Sequence, residues 1–231
     1  MLFRSVLSKK IAAGANCVVV DIPVGRTAKV RDEVSARSLA GTLWQVAQQF
    51  GLRCEAVLSD GSEPVGRGIG PALEARDVLA VLRNTPDAPD DLRQRALRLA
   101  GVLLELGGVA PQGEGAAAAE RTLRSGMALR KFEAICEAQG GMRVVPTSRY
   151  RRDIGAPHAG VACSIDNRRL AMVAKLAGAP DAKAAGVELH TRIGMSIEVG
   201  QPLYTIHAET EGELEYAAEF ASTNGGTIKV G

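Results

Sequence analysis

The sequence has few aromatic residues and no marked excess of either charge. Phe, Trp and Tyr together make up 3% of its 231 residues, too few for a surface on which nucleic-acid bases stack. Its 28 basic and 26 acidic residues nearly cancel, so neither a basic face for nucleic acid nor an acidic tail for a basic partner is indicated. We therefore expect no nucleic acid among its partners.

Long apolar runs and paired cysteines are also missing. No apolar stretch reaches the roughly 18 residues that a membrane-spanning helix needs, and the N-terminal residues lack the ordered basic, apolar and small-residue regions of a signal peptide. The four cysteines occur singly, without the C-x-x-C spacing of a metal or redox pair: Cys17, Cys54, Cys136 and Cys163. These absences predict a cytoplasmic protein with reduced cysteines and no membrane attachment.

The first half of the chain alternates between helical and strand-like patterns. Residues 17–22 form a nearly unbroken apolar run, as in a strand that is buried on both faces, and residues 53–58 predict a second strand. The apolar spacing predicts helices at 2–13, 32–50 and 71–83, with two or three more between 89 and 138. This alternation implies a layered α/β arrangement.

The second half is built of shorter segments. Strands are predicted at 143–146, 160–165, 187–193, 202–207 and 227–230, with helices at 167–176 and 211–220. We therefore expect an α/β domain over residues 1–141, with a mixed sheet flanked by helices, followed by a small α+β domain over residues 142–231.

The first candidate for chemistry is a helical pair near the N-terminus. Ser5 and Lys9 are four residues apart, so on a helix a hydroxyl and an ammonium point the same way. Such a pair can hold a carbonyl-rich heterocycle, with the ammonium stabilising charge on an oxygen. A solvent-facing pair without a function fits the motif alone at least as well.

The second candidate is the loop after the first predicted strand, residues 23–29. Ligands of α/β sheets gather beyond the carboxyl ends of strands. Gly25 allows a sharp turn, and Arg26, Thr27 and Lys29 offer donors suited to an anion such as phosphate. An ordinary polar connection is the equally good alternative.

The third candidate is the glycine-rich segment over residues 65–77. Gly66, Gly68 and Gly70 precede a helix that begins at Pro71, so the segment could hold an anion at the helix start. It has neither the spacing of a dinucleotide fingerprint nor the G-K-[ST] of a P-loop. Its bare carbonyls, with the Asp77 carboxylate, would also suit a hard cation. Close packing of the glycines is an equally good explanation.

The histidines indicate no site. His158, His190 and His207 are far apart and none has the spacing of a metal ligand. No G-x-S-x-G elbow of a serine hydrolase is present. We expect these histidines to be structural or on the surface.

Together, the three candidate segments resemble one family. S-V-L-S-K-K-I-A-A-G, V-V-V-D-I-P-V-G-R-T-A-K-V and S-D-G-S-E-P-V-G-R-G-I-G-P-A-L-E-A-R-D resemble, in this order, the thymidine phosphorylase group of pentosyltransferases. The archaeal-type branch, which includes AMP phosphorylase, fits best. The second half, with S-I-D-N-R-R-L-A and G-V-E-L-H-T-R-I-G-M-S-I-E-V-G-Q-P-L, is similar to the small C-terminal domain of that family.

The resemblance implies phosphorolysis. In that reaction phosphate attacks C1′ of a pyrimidine nucleoside or of a nucleoside monophosphate, and free base and a sugar phosphate result. Ser5 and Lys9 match the residues that contact the base, with Lys9 as the catalytic group, and Lys29 matches a nucleotide-contacting lysine. The resemblance further implies phosphate as the co-substrate, no required cofactor and a homo-oligomeric full-length enzyme.

A cation site is also implied by the resemblance. Val65, Gly68 and Asp77 fall where some members bind a monovalent or divalent cation through two backbone carbonyls and a carboxylate. In those members the carboxylate belongs to Glu, so the shorter Asp77 departs from the pattern.

A larger departure concerns what lies before Met1. The phosphate loop of the family, its Lys and Ser phosphate ligands and an acidic residue proposed as proton donor all match positions N-terminal to this chain. We therefore expect the 231-residue chain alone to have no phosphorolytic activity. The alternatives are a non-catalytic structural or oligomerisation fragment and, less well supported, a lipoyl-like carrier module. A carrier needs a modifiable lysine at the tip of a hairpin, and residues 207–213 contain none.

Overall fold

The computed structural model describes residues 2–223 and 226–231, with side chains from residue 7 onward. The described residues form helices α1 (Leu2–Ala12), α2 (Glu33–Gln49), α3 (Pro71–Leu82), α4 (Asp90–Leu106), α5 (Gly115–Arg124), α6 (Met127–Ala138), α7 (Asn167–Leu176) and α8 (Glu211–Ser222). The strands are β1 (Cys17–Val24), β2 (Arg53–Asp60), β3 (Gly68–Ile69), β4 (Tyr150–Gly155), β5 (Gly160–Ile165), β6 (Gly186–Leu189), β7 (Ser196–Ile197), β8 (Pro202–Ala208) and β9 (Ile228–Val230). Within these ranges, no helix combines the length and the apolar character that crossing a bilayer requires.

The chain forms two compact units. The first unit contains Met1–Gly61 and Arg93–Ala128, and the second contains Ser62–Leu92 and Leu129–Gly231. Residues 62–92 are grouped with the C-terminal residues because β3 pairs with β6. Nothing in the apolar pattern marks this long-range pairing, and the domain boundary expected between residues 141 and 142 stays a prediction.

The first unit is built around a parallel strand pair. β1 and β2 pair in register from Cys17 opposite Arg53 to Val24 opposite Asp60. Helix α2 connects them and packs on the pair, as expected for a parallel crossover. The core between them contains the buried residues Val18, Ile22, Ala36, Leu43, Ala47, Leu52 and Cys54, together with Leu7 of α1.

The second unit contains two antiparallel sheets. One has the strand order β3-β6-β8-β4, and the other has the order β7-β5-β9. Helices α7 and α8 pack on the larger sheet, and α7 contacts α8. The core of this unit contains buried apolar residues from both sheets and both helices, among them Ile165, Leu170, Val173, Val187, Tyr204, Ile206 and Ala217.

Local chemistry explains where several helices begin. The Asp32 carboxylate accepts a hydrogen bond from the Ser35 N–H at 2.8 Å and so caps α2. At α8 the Thr210 hydroxyl accepts from the Glu213 N–H, as an N-cap residue does, and donates to the Glu213 carboxylate. Pro71 occupies the first turn of α3, where its missing N–H costs nothing.

The predicted fold class is confirmed, with one wrong strand. The α/β order of the first half and the α+β character of the second half are both present. The strand predicted at 143–146 is wrong, because that segment is irregular and Val144 is 93% exposed. An apolar run without a neighbouring strand leaves its backbone hydrogen bonds unmade, so it gains nothing by extending into a sheet.

Candidate functional site

Helix α1 turns Lys9 toward solvent. Leu7 is buried in the core of the first unit and Ile11 packs against the same core. Lys9 lies two positions from each of them, about 200° around the helix, and its side chain is exposed. The Ser5 side chain lies outside the described residues, so the predicted pairing of Ser5 with Lys9 stays a prediction.

The loop after β1 forms a tight turn that presents Lys29. The Gly25 N–H donates to the Val30 carbonyl at 3.1 Å and the Ala28 N–H donates to the Gly25 carbonyl at 2.9 Å. Lys29 is exposed on this turn. In the part of the chain that the structure describes, neither Lys29 nor Lys9 forms an ion pair. The ammonium groups of Lys9 and Lys29 are therefore accessible to an anionic ligand.

A polar network joins the ends of both parallel strands. The Ser59 hydroxyl donates to the Asp21 carboxylate at 2.5 Å, and Arg95 of α4 donates to that carboxylate at 3.0 Å and to Ser59 Oγ at 2.8 Å. A second guanidinium nitrogen of Arg95 donates to the Asp60 carbonyl at 2.6 Å. The side chains of Asp21 and Arg95 are 23% and 19% exposed, so solvent screens this ion pair less than a surface pair.

The sequence does not predict this network. Asp21 lies inside an apolar run, where a charged residue needs a partner. That signal predicts an ion pair but not its partner, because Arg95 is 74 residues away in the chain. The network fixes α4 at the carboxyl edge of the strands, next to the turn that presents Lys29.

In the second unit, Asp77 orders the glycine-rich loop. Its Oδ2 accepts hydrogen bonds from the backbone N–H of Arg67 at 2.6 Å and of Gly68 at 2.8 Å. Asp77 is 6% exposed, and its Oδ1 lies 3.6 Å from Arg67 Nε, a distance typical of an ion pair and too long for a hydrogen bond. Gly68 leaves no room for a side chain, since a Cβ there would lie 2.4 Å from the Leu73 backbone carbon.

Arg192, which is distant in the sequence, binds the same loop. Its guanidinium donates to the carbonyls of Pro64 and Gly66, both at 2.7 Å, and pairs with Asp91 at 3.0 Å. The Asp91 carboxylate in turn accepts from the Gly66 N–H at 2.9 Å. The sequence contained no signal for Arg192, because 126 residues separate it from Gly66.

The cation predicted at Val65, Gly68 and Asp77 would compete with these contacts. The Asp77 carboxylate accepts two backbone hydrogen bonds and pairs with Arg67. Arg192 already donates hydrogen bonds to two neighbouring loop carbonyls. The charge that a cation would balance is thus largely balanced by the protein itself. Among the described residues, no group of three or more His, Cys, Asp or Glu side chains could hold a metal ion. The backbone-carbonyl site stays a prediction, and no chemical step below depends on it.

A buried histidine lies in a row of polar side chains on the larger sheet. His207 is 1% exposed, its Nδ1 lies 2.9 Å from the Ser148 hydroxyl, and its Nε2 lies 3.2 Å from Glu188 Oε2. The Nε2 contact is short but poorly aligned, so it is better described as an electrostatic contact than as a strong hydrogen bond. Ser148 is 7% exposed and also accepts from Arg151 Nε. Its burial leaves the Ser148 hydroxyl little access to a substrate, and its contacts link β8 to the segment before β4.

The structure divides the predicted site residues between the units. Lys9 and Lys29 belong to the first unit, whereas Val65, Gly68 and Asp77 belong to the second. Within the second unit, Gly68 and Asp77 are in direct contact, as the predicted cation site requires. Within the first unit, α1 packs on α2, and the Lys29 turn lies at the end of β1.

Comparison with known proteins shows what part of the second unit is similar to. Residues 161–226 match the family described as Pyrimidine nucleoside phosphorylase C-terminal domain. This segment runs from β5 into the residues before β9 and includes α7 and α8. It therefore contains the greater part of the core of the second unit.

Relatives extend the similarity to nearly the whole chain. "Putative thymidine phosphorylase 1" of Acidovorax sp. (strain JS42) is 60% identical over 222 residues, which is 96% of this chain and 43% of the relative. "Putative thymidine phosphorylase" of Chelativorans sp. (strain BNC1) is 56% identical over 99% of this chain and 45% of the relative. "Putative thymidine phosphorylase" of Legionella pneumophila (strain Paris) is 55% identical over 94% of this chain and 42% of the relative.

These matches confirm the resemblance to the thymidine phosphorylase family. The chain corresponds to a C-terminal portion of longer family proteins. It spans less than half the length of the curated relatives that it matches.

Proposed function

We propose that this chain is the C-terminal portion of a pentosyltransferase that cleaves a nucleoside by phosphorolysis. The products would be a free base and a sugar 1-phosphate, from a pyrimidine nucleoside or from a nucleoside monophosphate. The observation that carries the proposal is the identity of 55–60% to proteins named as thymidine phosphorylases over 94–99% of the chain. The exposed Lys9 and Lys29 of the first unit support it.

The proposed chemistry depends on charge that develops on the base. As the bond to C1′ breaks, the sugar gains oxocarbenium character and the departing base becomes partly anionic. Lys9 would stabilise that anion at a base carbonyl, with Ser5 orienting the ring from the same helix. An interaction that strengthens in the transition state lowers the barrier by typically about 3 kcal/mol. The orientation of phosphate and sugar for in-line attack supplies much of the remainder.

The choice of substrate depends on Lys29. An exposed ammonium on the turn after β1 suits the phosphate of a nucleoside monophosphate, as in the AMP phosphorylase type. The names of the relatives point to thymidine. The two substrates differ in charge, so a Lys29→Gln variant distinguishes them: it would raise the KM for AMP or CMP and leave that for thymidine or uridine unchanged.

The activity test joins this chain to part of a longer relative. In a single polypeptide, the part of the Acidovorax relative that precedes the matched region is fused to this chain. We expect phosphorolysis of thymidine, uridine, AMP or CMP by the fusion and none by the 231-residue chain alone. Turnover by the chain alone would refute the expected incompleteness, and a folded fusion without turnover on all four substrates would refute the proposed function.

A second candidate is a non-catalytic structural or oligomerisation fragment. It is favoured by one observation, that the chain spans 42–45% of the length of these relatives. The fusion experiment also decides this case, because a fragment with degenerate site residues would remain inactive when the preceding portion is supplied. We propose homo-oligomer formation and a cytoplasmic location only for the complete enzyme.

The carrier alternative has little support in the second unit. A lipoyl-like carrier would present a lysine at a hairpin tip following residues 199–206. β8 pairs with β4 and β6, which both precede it in the chain, and not with a strand that follows it within the described residues. The residues after β8 lead into α8, whose first turn is capped by Thr210.

A further inference from the structure

A cleft in the second unit is lined by three arginines. It lies between α3 and residues 142–145 and has a volume of about 550 Å³, and its basic lining consists of Arg76, Arg83 and Arg143. Both walls belong to the second unit, and none of the described residues predicted to act in phosphorolysis lines the cleft. Clefts of about 300–1,000 Å³ are typical of sites for small organic molecules. The volume therefore suits a ligand of metabolite size.

Helix spacing and a turn after α6 bring the arginines to one place. Arg76 lies on α3 and Arg83 is its C-cap residue, about two helical turns further on, so both lie on the same face. Gly140 and Gly141, with φ values of 101° and 95°, allow the chain to turn after α6. The Arg76 guanidinium donates to the Pro146 carbonyl at 3.2 Å and ties the segment after this turn to α3. The segment wrongly predicted as a strand thus forms one wall of the cleft.

The cleft has an excess of positive charge. Among the described residues that line it, Asp87 supplies one carboxylate against the three guanidinium groups. None of these guanidinium groups forms an ion pair within the part of the chain that the structure describes. Arg76 is half-buried and also interacts electrostatically with the Glu188 carboxylate. The charges of Arg83 and Arg143, which are both exposed, are therefore the least balanced.

Apolar side chains supply much of the remaining lining. They come from α3 and from the facing segment: Leu79, Ala80, Met142, Val144 and Val145. Met142 and Val144 are exposed, so a ligand that covers them removes apolar surface from water, which is favourable. The cleft thus combines unbalanced guanidinium groups with an apolar surface, and both features bear on the chemistry of its ligand.

We propose that this cleft binds a small phosphate monoester with an apolar body. The guanidinium fork matches phosphate oxygens in pairs. The lining has an excess of two positive charges, which matches the charge of about −1.5 to −2 that a phosphate monoester carries at pH 7. A carboxylate would leave one of these charges unbalanced, and inorganic phosphate would leave the apolar surface uncovered. The proposal does not depend on the proposed phosphorolysis.

Calorimetric titration with phenyl phosphate tests the proposal on the 231-residue chain. This probe joins an apolar ring to a phosphate, whereas benzoate has the ring with a single charge and inorganic phosphate has no ring. We expect phenyl phosphate to bind about tenfold more tightly than either comparison compound, because only phenyl phosphate satisfies both the charge and the apolar surface. Equal affinity for benzoate or for inorganic phosphate would overturn the assignment to a phosphate monoester.

Substitution of single arginines tests whether the probe occupies this cleft. Arg83→Gln and Arg143→Gln each remove one charge from the lining, so each should weaken the binding of phenyl phosphate by about tenfold. Arg130→Gln is the matched control, because Arg130 is an exposed arginine of α6 in the same unit that does not line the cleft. Its affinity should stay within about twofold of that of the unaltered chain. Circular dichroism shows whether each variant is folded.

Amide chemical shifts locate the ligand without any substitution. In the ¹⁵N-labelled chain, the amides of Leu79 and Val145 should shift on addition of phenyl phosphate, one on each wall of the cleft. This measurement decides the location even if an arginine variant does not fold. The proposal fails if phenyl phosphate does not bind, if Arg130→Gln weakens binding as much as Arg143→Gln, or if the shifts are confined to residues outside the cleft.

Discussion

Asp77 shows how one buried carboxylate orders a loop. Both Arg67 and Gly68 donate their backbone N–H to it, and the Arg67 guanidinium balances its charge. Hydrogen bonds to a charged acceptor are worth more than neutral ones. The loop is therefore expected to be ordered without any added cation.

Replacement of Asp77 by Asn tests this role. The amide has one acceptor oxygen in place of two and no charge, so Asp77→Asn is expected to lower the free energy of unfolding by about 1–3 kcal/mol. Urea denaturation in the presence of a chelator measures the loss, with the exposed Asp181→Asn as the control. A marked loss of stability of the unaltered protein on removal of cations would contradict the view that protein groups alone balance the Asp77 charge. It would support the cation site instead.

Glu188 gives one part of the stability a pH dependence. The contact with the His207 ring lowers the pKa of the Glu188 carboxyl below its ordinary value of 4.5, with burial opposing, and nearby His190 and Arg76 add to the lowering. A carboxyl with a lowered pKa in the folded state stabilises the protein above its ordinary pKa. That contribution is lost as the pH falls through the lowered value.

A comparison of Glu188→Gln with the unaltered protein checks the sign. At pH 7 the variant is expected to be less stable by at most about 1 kcal/mol, because 36% of the Glu188 side chain is exposed and solvent screens the contact. The difference should shrink as the pH falls below about 4.5 and vanish once the pH is below the lowered pKa of Glu188. The exposed Glu198→Gln is the control, and a stability difference that grows on acidification would contradict the account.

Single residues were the least predictable part of the molecule. The sequence placed Lys29 on a loop and Asp77 beside the glycine-rich loop, and the structure agrees. It could not identify Arg95 as the partner of Asp21 or Arg192 as the partner of the loop carbonyls. Contacts across such separations depend on the tertiary fold, and local periodicity carries no information about them.

Among the elements, α4 and α5 depend on a contact between two glycines. A Cβ on Gly101 would lie 2.5 Å from the Ala116 backbone nitrogen, and one on Gly115 would lie 2.1 Å from the Gly101 carbonyl oxygen. Backbone atoms cannot yield as a flexible side chain does. The two helices can therefore approach this closely only with glycine at both positions.

A matched pair of Gly→Ala variants separates the effect of this packing on stability from the effect of helix propensity. Gly101→Ala should destabilise the protein by about 1–3 kcal/mol, because the helices must separate. Gly41→Ala lies on α2 with nothing within 4 Å of the new Cβ, so it should stabilise by about 0.5–1 kcal/mol. Thermal unfolding measures both, and stabilisation by Gly101→Ala would show that the helices are not in contact.

Apolar periodicity identified the elements whose buried residues form one regular pattern. It failed for elements that lack such a pattern. β1, α2, β2 and α7 are close to their predicted bounds, since each has an apolar pattern of one kind. β4 was not predicted, because Arg151, Arg152 and Asp153 hide the strand in a charged segment. β4 is extended because it pairs with β8. Residues 143–146 have no such partner strand among the described residues.

At the scale of the whole molecule, the chain spans less than half the length of the relatives that it matches. The match over residues 161–226 and the identity to longer relatives support the place that we propose for this chain in a phosphorylase. The sequence motifs predicted the resemblance to this family correctly. They do not distinguish a nucleoside from a nucleoside monophosphate as the proposed substrate, because the matched segments are compatible with both.

The most direct test of the central claim compares Lys9 with its neighbour in the fused enzyme. Lys9→Gln removes the ammonium proposed to stabilise the departing base, so kcat/KM should fall by about 100- to 1,000-fold, mostly in kcat. Lys10→Gln changes an equally exposed lysine on the same helix and should leave kcat/KM within about twofold, a difference of under 0.5 kcal/mol. Equal kcat/KM values for the two variants would contradict the account.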